Sequence, residues 1–134
     1  SGDKGLTTTL VDGAKGELPL QQTAVPGLRV LAAGPVPPNP ADLLSTERMK
    51  EVLETLSASA DMVLFDSPPV SLVADAALLA SRVDGVILVV SAGKTRREIA
   101  LRAKALLEKV NARVLGVVLN NARVDSSVYR YYSK

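Results

Sequence analysis

The sequence predicts an α/β domain built on a parallel sheet of about four strands with connecting helices. Two observations carry that prediction. Short runs rich in Val, Ile and Leu alternate with longer segments whose apolar residues recur at helical spacing. The run Val86-Ile87-Leu88-Val89-Val90 is apolar without alternation, as in strands covered on both faces. The 134 residues suit one domain, and 47% hydrophobic residues suffice for a core.

Taken in order, residues 1–27 are an irregular segment, with a short helix over 5–11 ending near Gly13. Residues 28–33 read as the first strand. Gly34-Pro35-Val36-Pro37-Pro38-Asn39-Pro40 follows as a rigid loop, because each proline fixes φ and removes a donor. Asn39 and Pro40 are a good N-cap and first helical residue, and predict one helix from Pro40 to about Ser57. Met49, Val52, Leu53 and Leu56 make its apolar stripe. Residues 62–66 form the second strand, and 71–82 a helix with Leu72, Ala76 and Leu79 along one side. Residues 86–90 form the third strand. Thr95 to Val110 is the clearest helix, with Thr95 and Glu98 spaced as a capping box and Ile99, Ala103, Leu106, Leu107 and Val110 as its buried stripe. Residues 114–119 form the fourth strand. The α/β core therefore spans 28–120, and 121–134 is a polar, flexible tail that carries all three tyrosines.

Composition excludes several chemistries. With no Cys and no His, disulfides, thiol catalysis and histidine general bases are ruled out. A net charge of +2 gives no argument for nucleic acid. No apolar run approaches the roughly 20 residues of a membrane helix, and no signal-peptide pattern opens the chain.

The segment Val63-Leu64-Phe65-Asp66-Ser67-Pro68-Pro69-Val70 carries the chemistry. A strand that ends on Asp66 sets a carboxylate at the sheet's carboxyl edge, where α/β sheets bind ligands. In a phosphate-binding enzyme such an acid holds Mg²⁺, usually through water. The local pattern is equally that of an Asp capping the next helix. Ala92-Gly93-Lys94-Thr95 ends like a phosphate loop, but the loop needs a glycine five residues before Gly93, and Leu88 stands there. The segment reads as a helix start with at most a weak anion site. Arg96, Arg97, Arg102, Lys104 and Lys109 read as a solvated face of the same helix.

Three pieces of the chain resemble the bacterial tyrosine kinases, a branch of the deviant-Walker ATPases. They are Pro37-Pro38-Asn39-Pro40-Ala41-Asp42-Leu43-Leu44-Ser45; Asp66-Ser67-Pro68-Pro69 with Asp75 downstream; and Val83-Asp84-Gly85-Val86 through Arg97, continuing to Leu115-Gly116-Val117-Val118-Leu119-Asn120. The end, Tyr129-Arg130-Tyr131-Tyr132-Ser133-Lys134, is similar to a short form of that family's tyrosine-rich tail. The resemblance implies a P-loop NTPase fold, a cytoplasmic location, and transfer of the γ-phosphoryl of Mg·ATP to tyrosine in the control of capsular or extracellular polysaccharide synthesis and export. It implies that Asp66 is the Walker B acid associated with Mg²⁺, that Asn120 touches adenine and that Asp75 senses the γ-phosphate. It further implies that Tyr129, Tyr131 and Tyr132 are phosphoacceptors, and that a membrane activator protein is a partner. As residues alone, Asn120 is equally a polar strand end, Asp75 a surface acid favoured by a helix dipole, and the tyrosines an anchor for the tail.

The family's Walker A loop and second acidic strand motif (A′) have no counterpart in these 134 residues. The chain therefore reads as the carboxyl-terminal part of the kinase domain, not competent alone. Removing those strands leaves four whose right-handed crossovers place every helix on one face. The opposite face would be bare and apolar, which predicts a homo-oligomer or a complementing kinase half. The rival reading is a non-catalytic, truncated or designed α/β folding or interaction module that binds no nucleotide. A receiver-like or flavodoxin-like domain fits less well, since a receiver needs a cluster of acids at its strand ends.

Overall fold

The computed structural model describes residues 4–13, 17–72 and 74–122, apart from the side chains of Ala74 and Asp75. The chain divides into two compact units, Ser1–Asp66 and Ser67–Lys134.

In the first unit, α1 (Leu6–Asp12) ends as its sequence predicts, on Gly13 at φ 66°, with the Gly13 N–H donating to the Thr9 carbonyl. Arg48 Nη1 donates to the Leu10 and Val11 carbonyls at 2.8 and 2.9 Å, closing the helix's carboxyl end with a cation. The start of α1 is held by backbone: the Leu6 and Thr7 N–H groups donate to the Ala32 and Ala33 carbonyls at 2.8 and 2.9 Å. Gly5 lies so close to this segment that a Cβ would strike the Ala32 carbonyl and the Gly34 nitrogen. Gly5→Ala is therefore expected to cost about 1–3 kcal/mol, the usual range for overpacking, read as a lower urea midpoint.

Two short strands, β1 (Gln21–Gln22) and β2 (Arg29–Val30), pair antiparallel. Only two residues of the 28–33 run thus enter a ladder. The partner is a neighbouring segment that no apolar pattern marks.

The single helix predicted from Pro40 is two: α2 (Pro40–Leu44) and α3 (Glu47–Ser59). Pro40 does sit at the first helical position, though Asn39 makes no side-chain cap. The break falls at Ser45-Thr46, where both hydroxyls donate back to carbonyls, Asp42 and Leu43, at 2.7 Å. Such local bonds compete with helix continuation. Thr46 then caps the next helix by accepting from the Met49 N–H at 3.3 Å. Thr46→Ala is expected to lower stability by about 1 kcal/mol, measured by thermal melting. The core face of α3 is Met49, Val52 and Leu56, as its spacing predicts. Residues 62–66, expected as the second strand, belong to no helix or ladder; Val63 and Phe65 are half-buried between exposed Met62, Leu64 and Asp66.

The second unit holds the parallel pair that defines the α/β class. β3 (Val86–Ser91) and β4 (Val114–Asn120) run in register from Ile87 opposite Gly116 to Ser91 opposite Asn120. The helix expected over 71–82 is shorter, α4 (Ala74–Ala80), with Ala76 and Ala80 buried. Leu72 is not on its core face. It is exposed in a turn whose N–H donates to the Pro69 carbonyl at 2.9 Å. The crossover helix is α5 (Arg97–Lys109), which contacts α4 and buries Ala103 and Leu107. Asn111, at φ 54°, ends it in the left-handed conformation.

The Thr95 capping box does not form. Arg96 occupies the N-cap position without a side-chain cap, and Ile99 of the expected stripe is exposed. Thr95 is used by the preceding turn, where its hydroxyl accepts from the Ser91 N–H at 2.9 Å and its own N–H donates to the Ser91 carbonyl at 2.9 Å. Gly93, at φ 71°, supplies the left-handed residue that turn requires.

The apolar runs are less covered than their composition predicts. Side by side on one face of the parallel pair, Ile87, Val89 and Val118 are 55%, 60% and 48% exposed. Leu115, Val117 and Leu119 are exposed as well.

Candidate functional site

Asp66 closes the first unit. The four residues before it, Met62 to Phe65, alternate exposed and half-buried, and the prolines at 68 and 69 withhold two backbone donors just after it. Its carboxylate is exposed, and among the described residues no hydrogen bond or ion pair engages it. The Ser67 hydroxyl beside it donates to the Pro68 carbonyl at 3.3 Å. An exposed carboxylate with no cation partner among the described residues is a donor suited to Mg²⁺. That ion keeps several waters and takes one or two carboxylates together with substrate phosphates.

In the second unit the carboxyl edge of the parallel pair gathers Ser91, Asn120 and Asn121. The Asn120 side-chain oxygen accepts from the Asn121 N–H at 2.8 Å, and the Asn120 carbonyl accepts from the Ala92 N–H at 2.8 Å. Asn121, at φ 57°, donates from Nδ2 to the Ser91 hydroxyl at 3.0 Å. These bonds fix the Asn120 amide by its oxygen and leave its Nδ2 donor facing solvent, a group able to read an acceptor on a ligand. Sequence reasoning identifies Asn120 but misses Ser91 and Asn121. The consecutive asparagines at the end of an apolar run were the available signal, since Asn is the residue that most readily adopts positive φ after glycine.

Asp75 is the second residue of α4. Its side chain, like Tyr129, Tyr131 and Tyr132, lies outside the described residues. Among the described residues no group of three or more acids stands close enough to hold a metal ion by protein ligands alone. No helix among them is long and apolar enough to cross a membrane.

In the second unit, a parallel pair joined by a crossover helix is an α/β arrangement. No family model matches the chain. It is 43% identical over 129 residues to the tyrosine-protein kinase YwqD of Bacillus subtilis, a match that covers 96% of this chain and 54% of that protein. It is 34% identical to the putative tyrosine-protein kinase CapB of Staphylococcus aureus, covering 98% of this chain and 59% of that one. Among solved structures, the chimerical protein CapA2B2 superposes with a TM-score of 0.86 at 31% identity, over 92% of this chain and 55% of that one. The kinase domain of the Escherichia coli tyrosine kinase ETK superposes with a TM-score of 0.81 at 29% identity, over 93% and 51%. The chain belongs to the bacterial tyrosine-kinase family, and its fold is part of that family's P-loop NTPase-like domain. It spans about half the length of the curated relatives it matches.

Proposed function

We propose that this chain is the cytoplasmic, carboxyl-terminal part of an ATP-dependent protein-tyrosine kinase that regulates capsular or extracellular polysaccharide synthesis and export. The observation that carries the reading is the exposed Asp66 carboxylate, without a partner among the described residues, at the end of the apolar run 62–65 in a chain similar to these kinases. In this reading the phenol oxygen of Tyr129, Tyr131 or Tyr132 forms a bond to the γ-phosphorus of ATP. The bond from that phosphorus to the β-bridging oxygen breaks, ADP leaves, and the phenol's proton passes to solvent water. Asp66 would hold Mg²⁺ through water, and the ion would supply positive charge to the phosphate oxygens. Asn120 Nδ2 donates to the adenine ring, and Asp75 belongs to the helix start that senses the γ-phosphate. A membrane activator protein is the partner in the cell, and nucleic acid is not.

The sequence contains no Gly-x-x-x-x-Gly-Lys-Ser/Thr loop, so these 134 residues do not cradle ATP phosphates by themselves. A complementing segment that carries the loop supplies that function. Two facts support this complement. The chain aligns with only about half of its relatives, and the parallel pair exposes Ile87, Val89 and Val118 on one face. A two-stranded sheet is marginal in water, and a third strand with its covering helices would bury that face.

Isothermal titration with Mg·ADP tests the reading. The chain alone is expected to release no saturable heat. Addition of the unmatched half of the Bacillus subtilis relative is expected to produce saturable binding and, with ATP, phosphate on tyrosine. Saturable binding by the chain alone would overturn the need for a complement. A folded, associated pair that never phosphorylates tyrosine would favour the non-catalytic module.

A further inference from the structure

We propose that the shallow cavity at the start of α5 is a binding site for a phosphate monoester carried on an apolar or aromatic body. Resting on the tyrosine-kinase reading, phosphotyrosine is the member of that class it takes. The cavity, about 550 Å³, lies within the second unit, between the Ser71-Leu72 turn and the first two turns of α5. Lys94, Arg96 and Arg102 bring three cations to it, and among the described residues no acid lines it. None of the three cations has an ion-pair partner among the described residues, although the same helix pairs Lys104 with Glu108 at 3.1 Å. Arg96, Ile99 and Arg102 are spaced three apart, so one face of the helix presents two guanidinium groups with an isoleucine between them.

The lining is amphipathic in a way that narrows the ligand. Leu72 and Ile99 are large apolar side chains left exposed at this place. Ile99 was expected in a buried stripe and Leu72 along the apolar side of a helix, and both instead line the cavity. A bare inorganic anion would use the cations and leave this surface wet. An aryl phosphate uses both, since its ester carries a charge of about −1.5 to −2 at pH 7 for the guanidinium groups and its ring covers the leucine and isoleucine. The Ser71 hydroxyl, half-buried and without a hydrogen-bond partner among the described residues, adds a neutral donor.

The test is a ¹⁵N NMR titration of the whole chain with phenyl phosphate at constant ionic strength, without Mg²⁺ or nucleotide. Saturable shifts are expected at the backbone amides of residues 94–102. Inorganic phosphate is expected to bind about tenfold more weakly, and phenol not at all. The Arg96→Ala/Arg102→Ala variant, altered only at exposed positions, should weaken phenyl phosphate about tenfold or more, whereas Arg113→Ala should not. The proposal is overturned if chloride produces the same shifts, if the double variant binds unchanged, or if Arg113→Ala loses as much affinity. Tighter binding of adenosine monophosphate than of phenyl phosphate would also overturn it, by assigning the cavity to nucleotides. Because no Mg²⁺ or ATP is present, failure here leaves the kinase reading standing, and failure of the Mg·ADP titration leaves this binding measurable.

Discussion

Replacing Asp66 by Ala in the complemented kinase is expected to lower tyrosine phosphorylation about a hundredfold or more, with little change in stability. The magnitude follows from the role. A carboxylate that orients metal-bound water acts through the ion's outer shell, where losses of 10–100-fold are common, and it also supplies charge balance at the reacting phosphate. Asp66 has no protein partner to leave unsatisfied among the described residues and its side chain is exposed, so the fold should change by no more than about 0.5 kcal/mol. Asp66→Asn separates shape from charge. It keeps the side chain's size and one oxygen, and it should lose nearly as much activity as the alanine variant. Rates come from the initial appearance of phosphotyrosine, and stability from urea unfolding of the same samples. If Asp66→Ala phosphorylates tyrosine at the unaltered rate, the acid is a relic of sequence and the metal is held elsewhere.

Leu107→Ala is expected to destabilise the second unit by about 2–5 kcal/mol, enough to consume much of a small domain's total stability. Leu107 is 2% exposed, on the face of α5 that also buries Ala103. Deleting the methine and two methyl carbons there leaves a cavity beside a residue that is already small, so little can move in to fill it. Leu101→Ala is the internal comparison, because Leu101 lies on the same helix and is 51% exposed. It should cost under about 1 kcal/mol, since alanine's helix propensity offsets part of the lost burial. The chain has no tryptophan, so far-UV circular dichroism in urea is the suitable reading. Equal costs at the two positions would show that α5 is not anchored through the Leu107 face.

The features that were legible in the sequence are those set by local chemistry. The Met49, Val52 and Leu56 stripe reads correctly because a helix brings positions three and four apart onto one face whatever packs there. Gly13 ends α1 because the required backbone conformation is nearly free only for glycine. Pro40 opens α2 for a similar reason, its fixed φ. The readings that changed depended on competition between groups. Ser45 and Thr46 looked like helix interior, yet their hydroxyls found carbonyls and broke the helix. Thr95 had the spacing of a capping box, but the Ser91 N–H captured its hydroxyl first. Ile99 and Leu72 matched an apolar period without finding a surface to bury against, because period states which face a residue lies on and not what covers it. At the candidate site, Asp66 and Asn120 were visible as polar residues ending apolar runs. Ser91 and Asn121 were not, because they join Asn120 only through strand register and a left-handed residue.

By itself, then, the sequence determined the family, the α/β class, the acid at the end of the 62–66 segment and the absence of a phosphate loop from these residues. All of these are properties of order and spacing along the chain. Tertiary structure alone decided which apolar runs pair. β3 and β4 form the parallel ladder, whereas the 28–33 run gives two residues to an antiparallel partner. It also decided that Lys94, Arg96 and Arg102 line one cavity with no acid among the described residues beside them. The physical reason is that pairing and burial are contests among distant segments for the same surfaces, and the outcome depends on which partners are present to compete.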